Sequence, residues 1–156
     1  MRMGEGVEWG LHCCLTLAWI GSQEPVSTAK LAAHFGVPPT YLNKCLQALV
    51  RAHILISVSG AHGGFRLAKS PDALTLLDVV DAIEGPNEVF RCTEIRQIEG
   101  CSHDENRRPC AIAAAMHKAE AAWRAALNAQ SLAEIVRSAP QAAAERTRRW
   151  YQDVRR

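Results

Sequence analysis

The chain has 156 residues, 48% of them hydrophobic and 22% charged, with a formal net charge of +2. That composition supplies one buried core with a short extension and excludes a chain disordered throughout. The longest apolar stretch, Leu11 to Ile20, is interrupted by His12 and too short to span a bilayer, and no secretory leader is apparent, so a cytoplasmic protein is predicted.

Residues 4 to 20 read as a first helix, because Val7, Leu11, Cys14, Leu15 and Ala18 recur at helical spacing. After a break at Gly21 to Pro25, Ser27 or Thr28 can cap a short helix that runs through His34. Gly36-Val37-Pro38 makes a tight turn, and a second helix follows from Pro38 or Pro39 to Ala52. Its Leu42, Cys45, Leu46 and Leu49 fall at i, i+3, i+4 and i+7 and form the buried stripe. Thr40, Asn43, Lys44 and Gln47 repeat that spacing on a polar face. A short helix, a glycine turn and a polar-faced second helix make a helix-turn-helix.

Two β-prone runs, Ile54 to Val58 and Phe65 to Leu67, flank Ser59-Gly60-Ala61-His62-Gly63-Gly64 and predict a hairpin wing. Positive φ is expected in its Gly63-Gly64 turn. Between Pro25 and Pro71 there is no Asp or Glu, although the chain holds 16 of them, whereas Lys30, Lys44, Arg51, Arg66 and Lys69 all lie there. Such a surface suits a phosphate backbone, so double-stranded DNA is the expected partner. Asn43 and Gln47 are candidates for base edges, and Lys44 and Arg51 for phosphate or guanine. Thr40 and Tyr41 would meet phosphate at the helix start, with His62 and Arg66 serving the wing.

Leu74 to Ile83 reads as another amphipathic helix, ended by Gly85-Pro86. A polar loop then carries Cys92, Cys101 and Cys110 with eight residues between neighbours. Cys13, Cys14 and Cys45 lie in apolar helical patterns and read as small core hydrophobes. The loop cysteines have no such explanation and point to a metal centre. Ala111 to Asn128 is alanine-rich with Ile112, Met116, Ala119, Trp123 and Leu127 at helical spacing, the pattern of a long dimerisation helix. Ser131 can cap a last short helix, Leu132 to Val136, and the Ala- and Arg-rich end beyond Pro140 is expected to be frayed or weakly helical.

The expected fold is therefore mainly α: a winged helix-turn-helix with a β-hairpin wing, plus a long dimerisation helix. Residues 1–85 would form the DNA-binding domain, 86–110 a cluster loop, 111–137 the dimerisation region and 138–156 a basic tail. No CxxC motif and no glycine-rich nucleotide loop supports an enzyme.

Several segments carry a family resemblance across roughly residues 1 to 137. They are Val37-Pro38-Pro39-Thr40-Tyr41-Leu42, Gly60-Ala61-His62-Gly63-Gly64-Phe65-Arg66-Leu67, Leu76 to Pro86 and the three-cysteine loop. The chain resembles the Rrf-two family of dimeric winged-helix iron–sulfur regulators, which includes IscR and NsrR. Gly6-Val7-Glu8-Trp9 with His12-Cys13-Cys14, and Cys92 to Gln97, bring it nearest the redox-sensing RsrR type.

Glu8 and His12 stand at i and i+4, so a carboxylate and an imidazole share one helix face about 6 Å apart at Cβ. The resemblance implies a homodimer in which Cys92 and Cys110 ligate one iron of a [2Fe–2S] cluster. Glu8 and His12 of the partner subunit would ligate the other. NsrR-like members imply an alternative, a nitric oxide sensor with a [4Fe–4S] cluster on Cys92, Cys101, Cys110 and Glu8; Cys₂HisGlu ligation also suits zinc, and a cluster-free regulator could sense oxidants through its thiols. Trp9, between the helix ligands, and His34, before the recognition helix, are candidate relays of the cluster's charge to a pseudo-palindromic operator.

Overall fold

The computed structural model describes residues 3–21, 25–86, 88–93, 95 and 110–155. The helices begin and end where the sequence supplies capping groups. Helix α1 (Glu5–Ile20) stops at Gly21, whose φ of 60° lets its N–H return to the Leu17 carbonyl. Helix α2 (Thr28–Phe35) starts at Ser27, whose hydroxyl accepts the Lys30 N–H, and ends at left-handed Gly36. Helix α3 (Pro39–Arg51) opens on a proline, which has no N–H to leave unpaired in the first turn.

Strand β1 (Leu55–Val58) pairs antiparallel with β2 (Gly64–Leu67), with Leu55 opposite Leu67 and Val58 opposite Gly64. A separate bridge joins the hairpin to the chain entering α2. Val26 N–H donates to the Phe65 carbonyl at 3.0 Å, and Phe65 N–H donates to the Val26 carbonyl at 2.9 Å. Gly64 permits this approach, because a Cβ there would lie 2.4 Å from the Val26 carbonyl oxygen and 2.6 Å from the Ser27 nitrogen. Positive φ falls at Gly60 (109°) and Gly64 (155°), not at Gly63. Gly63 is needed for space instead, since its Cβ would meet the Val58 carbonyl oxygen at 2.3 Å.

Two capping boxes lie side by side. Thr75 starts α4 (Leu76–Glu84), accepting the Asp78 N–H at 3.2 Å while Asp78 accepts the Thr75 N–H at 2.8 Å. Ser131 and Glu134 repeat the device at α6 (Leu132–Ser138). A β-bridge joins Thr75 to Ser131, with Leu132 N–H donating to the Leu74 carbonyl at 2.7 Å. The bridge thus fixes the start of α6 to the start of α4.

The core collects Cys13, Cys14 and Leu17 of α1, Leu31 of α2, Leu42, Leu46 and Leu49 of α3, and Phe65, Leu74, Val79 and Leu132. Helix α1 crosses closely over α3 and α4 at two glycines. A Cβ on Gly6 would lie 3.0 Å from the Cys45 sulfur, and one on Gly10 would lie 2.4 Å from Ile83 Cδ1.

Helix α5 (Ala111–Asn128) has no buried residue, and its Ile112 and Met116 are 69% and 44% exposed. It is tied to α4 by Arg124, whose guanidinium donates to Asp81 at 2.6 Å. The C-terminal segment departs from the frayed tail that its composition predicts. Residues Gln141–Arg155 form helix α7, which buries Ala144, Thr147 and Tyr151. Those residues stand at i, i+3 and i+7, so burial of one stripe stabilises an otherwise arginine-rich helix. Arg148 Nε adds a bond to the Trp19 carbonyl at 2.9 Å. Mainly α-helical with a single two-stranded hairpin among the described residues, the chain has the winged helix-turn-helix architecture read from its sequence.

Candidate nucleic-acid interface and metal ligands

Helix α3 divides as its periodicity predicts. Leu42, Cys45, Leu46 and Leu49 are buried, leaving Thr40, Tyr41, Asn43, Lys44 and Arg51 exposed and Gln47 half-buried. The two helices of the motif are also joined through their polar faces, where Thr28 Oγ1 donates to Asn43 Oδ1 at 3.2 Å. His62 is exposed on the five-residue turn between β1 and β2, whereas Arg66 sits mid-strand opposite Ile56. Arg66 lines a cleft with Lys69 and Ile20, away from the wing tip.

The candidate ligands fall into two pairs. Glu8 and His12 are exposed on α1 and, with Met3 and Leu11, line a shallow cleft of about 360 Å³. Cys92 is exposed, and Cys110 is half-buried at the N-cap position of α5. The segment leading to Cys92 lies along α5, where Val89 N–H donates to Glu120 at 3.0 Å and the Phe90 and His117 rings are 6.0 Å apart. Among the described residues, no three His, Cys, Asp or Glu side chains converge on one point. The described residues of one chain therefore do not bring Glu8, His12, Cys92 and Cys110 together. Cys101 lies outside the described residues.

The remaining thiols are unsuited to this chemistry. Burial pushes the Cys13 thiol up to about 12, and burial raises Cys14 and Cys45 as well. They pack as small hydrophobes, as their apolar surroundings predict.

The profile of one family, described as an iron-dependent transcriptional regulator, matches residues 3–138 of this chain. The chain belongs to the Rrf2 (Rrf-two) family. It is similar to protein rrf2 of Nitratidesulfovibrio vulgaris, at 30% identity over 146 residues and 89% of each chain. Its fold is that of two solved structures. One is CymR, the global cysteine regulator of B. subtilis, with a TM-score of 0.67 at 21% identity over 90% of this chain and 99% of that one. The other is T. potens IscR, with a TM-score of 0.68 at 22% identity over 91% of this chain and 90% of that one. As an Rrf2 member the chain is a DNA-binding transcriptional regulator and not an enzyme. No described helix is long and apolar enough to cross a membrane.

Within this Rrf2 fold the two relay candidates have distinct neighbours. Trp9 is half-buried, and its indole meets the ring of Tyr41 in the first turn of α3. His34 lies in a line of rings, 4.9 Å from Phe35 and 4.0 Å from Trp150 of α7, while Phe35 is in turn 5.9 Å from His12. Burial lowers the His34 pKa from its ordinary value. Sequence reasoning did not anticipate the α7 side of this contact. The available signal was the Ala144, Thr147, Tyr151 stripe, obscured by five arginines between Arg146 and Arg156.

Proposed function

We propose that this Rrf2-family regulator is a homodimer that senses redox state through a [2Fe–2S] cluster and changes its operator affinity accordingly. The observation that supports the reading is the exposed Glu8–His12 face of α1, a carboxylate and an imidazole on one cleft that the described residues of a single chain do not complete to three donors. Cys92 and Cys110 supply soft thiolates, and Glu8 and His12 supply harder oxygen and nitrogen donors, a set suited to two chemically unequal irons. The uncovered stripe of α5, with Ile112 and Met116 exposed, offers a partner subunit the apolar surface a stable dimer needs. In the dimer, Cys92 and Cys110 of one subunit would complete their site with Glu8 and His12 of the partner subunit. When bound, the cluster supplies one-electron redox chemistry in a setting where a unit change of charge is weakly screened.

The chain's own residues would convert that change into DNA affinity. Trp9 adjoins both helix ligands and reaches Tyr41, so a shift of α1 is transmitted to the start of α3. There Thr40 and Tyr41 would hold phosphate, Asn43 and Gln47 would read bases, and Lys44 and Arg51 would contact phosphate or guanine. His62 and Arg66 would support the wing. Residues 1–85 would act as the DNA-binding unit, 86–110 as the cluster loop and 111–137 as the dimer seam. The remainder of the chain is docked back on the first unit through α7.

Anaerobic purification tests the reading. A coloured protein whose visible absorption bleaches with dithionite and returns in air is expected, and His12→Ala should abolish that absorption. A colourless zinc protein would overturn the cluster. A [4Fe–4S] spectrum that His12→Ala leaves unchanged and Cys101→Ser abolishes would replace it with the three-cysteine ligand set.

A further inference from the structure

We infer that the last turn of α7 is a DNA-backbone contact: it closes a cationic cleft between the helix-turn-helix and the wing that accepts a phosphate of duplex DNA. The cleft holds about 490 Å³ and is bounded on three sides. Ser27 and Lys30 come from the start of α2, His62 and Gly63 from the wing tip, and Tyr151 and Arg155 from α7. Among the described residues, none that lines it is acidic. Lys30 and Arg155 bring basic heads with several N–H donors, and the His62 ring and the Ser27 hydroxyl add donors. An anion is the ligand such a lining selects.

Its position identifies which anion. Thr28, next to Ser27, donates to Asn43 on the exposed face of the recognition helix, so the cleft adjoins the proposed reading surface. On the other side it is continuous with the wing tip. A duplex whose groove receives α3 runs its backbone past these two elements, and phosphate contacts are the ones that fix register.

Helix α7 is held firmly enough to present Arg155. Tyr151 is buried at 8% exposure, the Trp150 ring lies 4.0 Å from His34, and Arg148 is bonded to the Trp19 carbonyl. Arg155 follows Tyr151 at i+4 and shares its helix face. The family profile ends at residue 138, so the contact is an addition to the matched region. The inference rests on DNA binding by the family fold, but not on the cluster.

The test uses the full-length protein and a fluorescein-labelled duplex of roughly 30 base pairs, long enough for two half-sites one helical turn apart. Binding is measured between about 50 and 200 mM salt for the wild type, Arg155→Ala and Arg155→Lys. Arg155→Ala should weaken binding roughly three- to tenfold and reduce the slope of log K against log salt by about 0.9 for each phosphate no longer neutralised. Arg155→Lys should restore most of the slope, and melting temperatures of both variants are measured alongside. An Arg155→Ala slope equal to wild type overturns the inference, whether or not the melting temperature falls, because Arg155 would then act only within the helix. If the wild type bound no duplex at all, the regulator reading itself would fail.

Discussion

The indole of Trp9 meets the ring of Tyr41 edge-on, with centroids 5.2 Å apart and planes inclined at 80°. This contact links the helix that carries Glu8 and His12 to the first turn of the recognition helix. An edge-to-face pair has a definite geometry, so displacement of one ring forces the other to move or leaves a gap. Redox coupling of operator binding in the typical allosteric range would be about 5- to 150-fold. Trp9→Ala should reduce the ratio of oxidised to reduced affinity to within about twofold, while leaving the visible spectrum of the cluster intact. Fluorescence anisotropy with both redox forms measures the ratio. A wild-type ratio in the variant would rule out Trp9 as the relay.

Ligation across the dimer makes a prediction that ligation within one chain does not. His12→Ala and Cys92→Ser should each abolish both clusters of a homodimer. In a heterodimer of the two variants, one site pairs an intact cysteine set with an intact Glu8–His12 set, and the other is doubly broken. Iron analysis of the differentially tagged, purified heterodimer should therefore find about half the wild-type content, given intersubunit assembly of the ligands. If all four ligands came from one chain, both sites would be broken and no cluster iron would remain.

Thiol reactivity should follow burial. Cys92 is exposed, whereas Cys13 and Cys14 are fully buried and Cys13 is pushed up to about 12. At pH 8 its thiolate fraction is about a thousandfold or more below that of an ordinary cysteine, before access is considered. Brief iodoacetamide treatment of reduced, metal-stripped, folded protein should label Cys92 and spare Cys13, Cys14 and Cys45. Peptide mass spectrometry reads the pattern, and equal labelling after prior denaturation is the control. Rapid native labelling of Cys13 would contradict the buried assignment.

The sequence foretold what local physics decides. The Leu42, Cys45, Leu46, Leu49 stripe located α3 because its buried face repeats at helical spacing, and Ser27 and Ser131 marked helix starts because their hydroxyls satisfy backbone N–H groups, whereas the Thr75 cap of α4 was hidden by the apolar run that already begins at Leu74. The paired chemistry of Glu8 and His12 was legible for the same reason, since i and i+4 always share a helix face. What escaped depends on distant contacts. The docking of α7 rests on Trp150 against His34 and on Arg148 at Trp19, contacts that span more than a hundred residues of sequence. The close crossing at Gly6 and Gly10 needs Cys45 and Ile83, neither of which their local sequence identifies.

Gly64 supplies the most direct test of how the wing is attached. The Val26–Phe65 bridge brings the backbone of residues 26 and 27 onto the start of β2, and a Cβ on Gly64 would meet that backbone at 2.4 to 2.6 Å. Those neighbours are main-chain atoms with paired hydrogen bonds, so no side-chain rotation can relieve the clash. The φ of 155° adds strain for any L-residue. Gly64→Ala should therefore cost about 3 kcal/mol, within the range for overpacking, and lower the melting temperature by roughly 6 to 12 °C. Gly60→Ala is the matched control. Its φ is also positive, but no atom lies within 4 Å of the added Cβ, so it should cost only the conformational penalty of about 1 kcal/mol. Calorimetry of the two variants separates steric closure of the bridge from backbone strain. Equal melting temperatures would show that the bridge yields and that the wing is not fixed to α2 through Gly64.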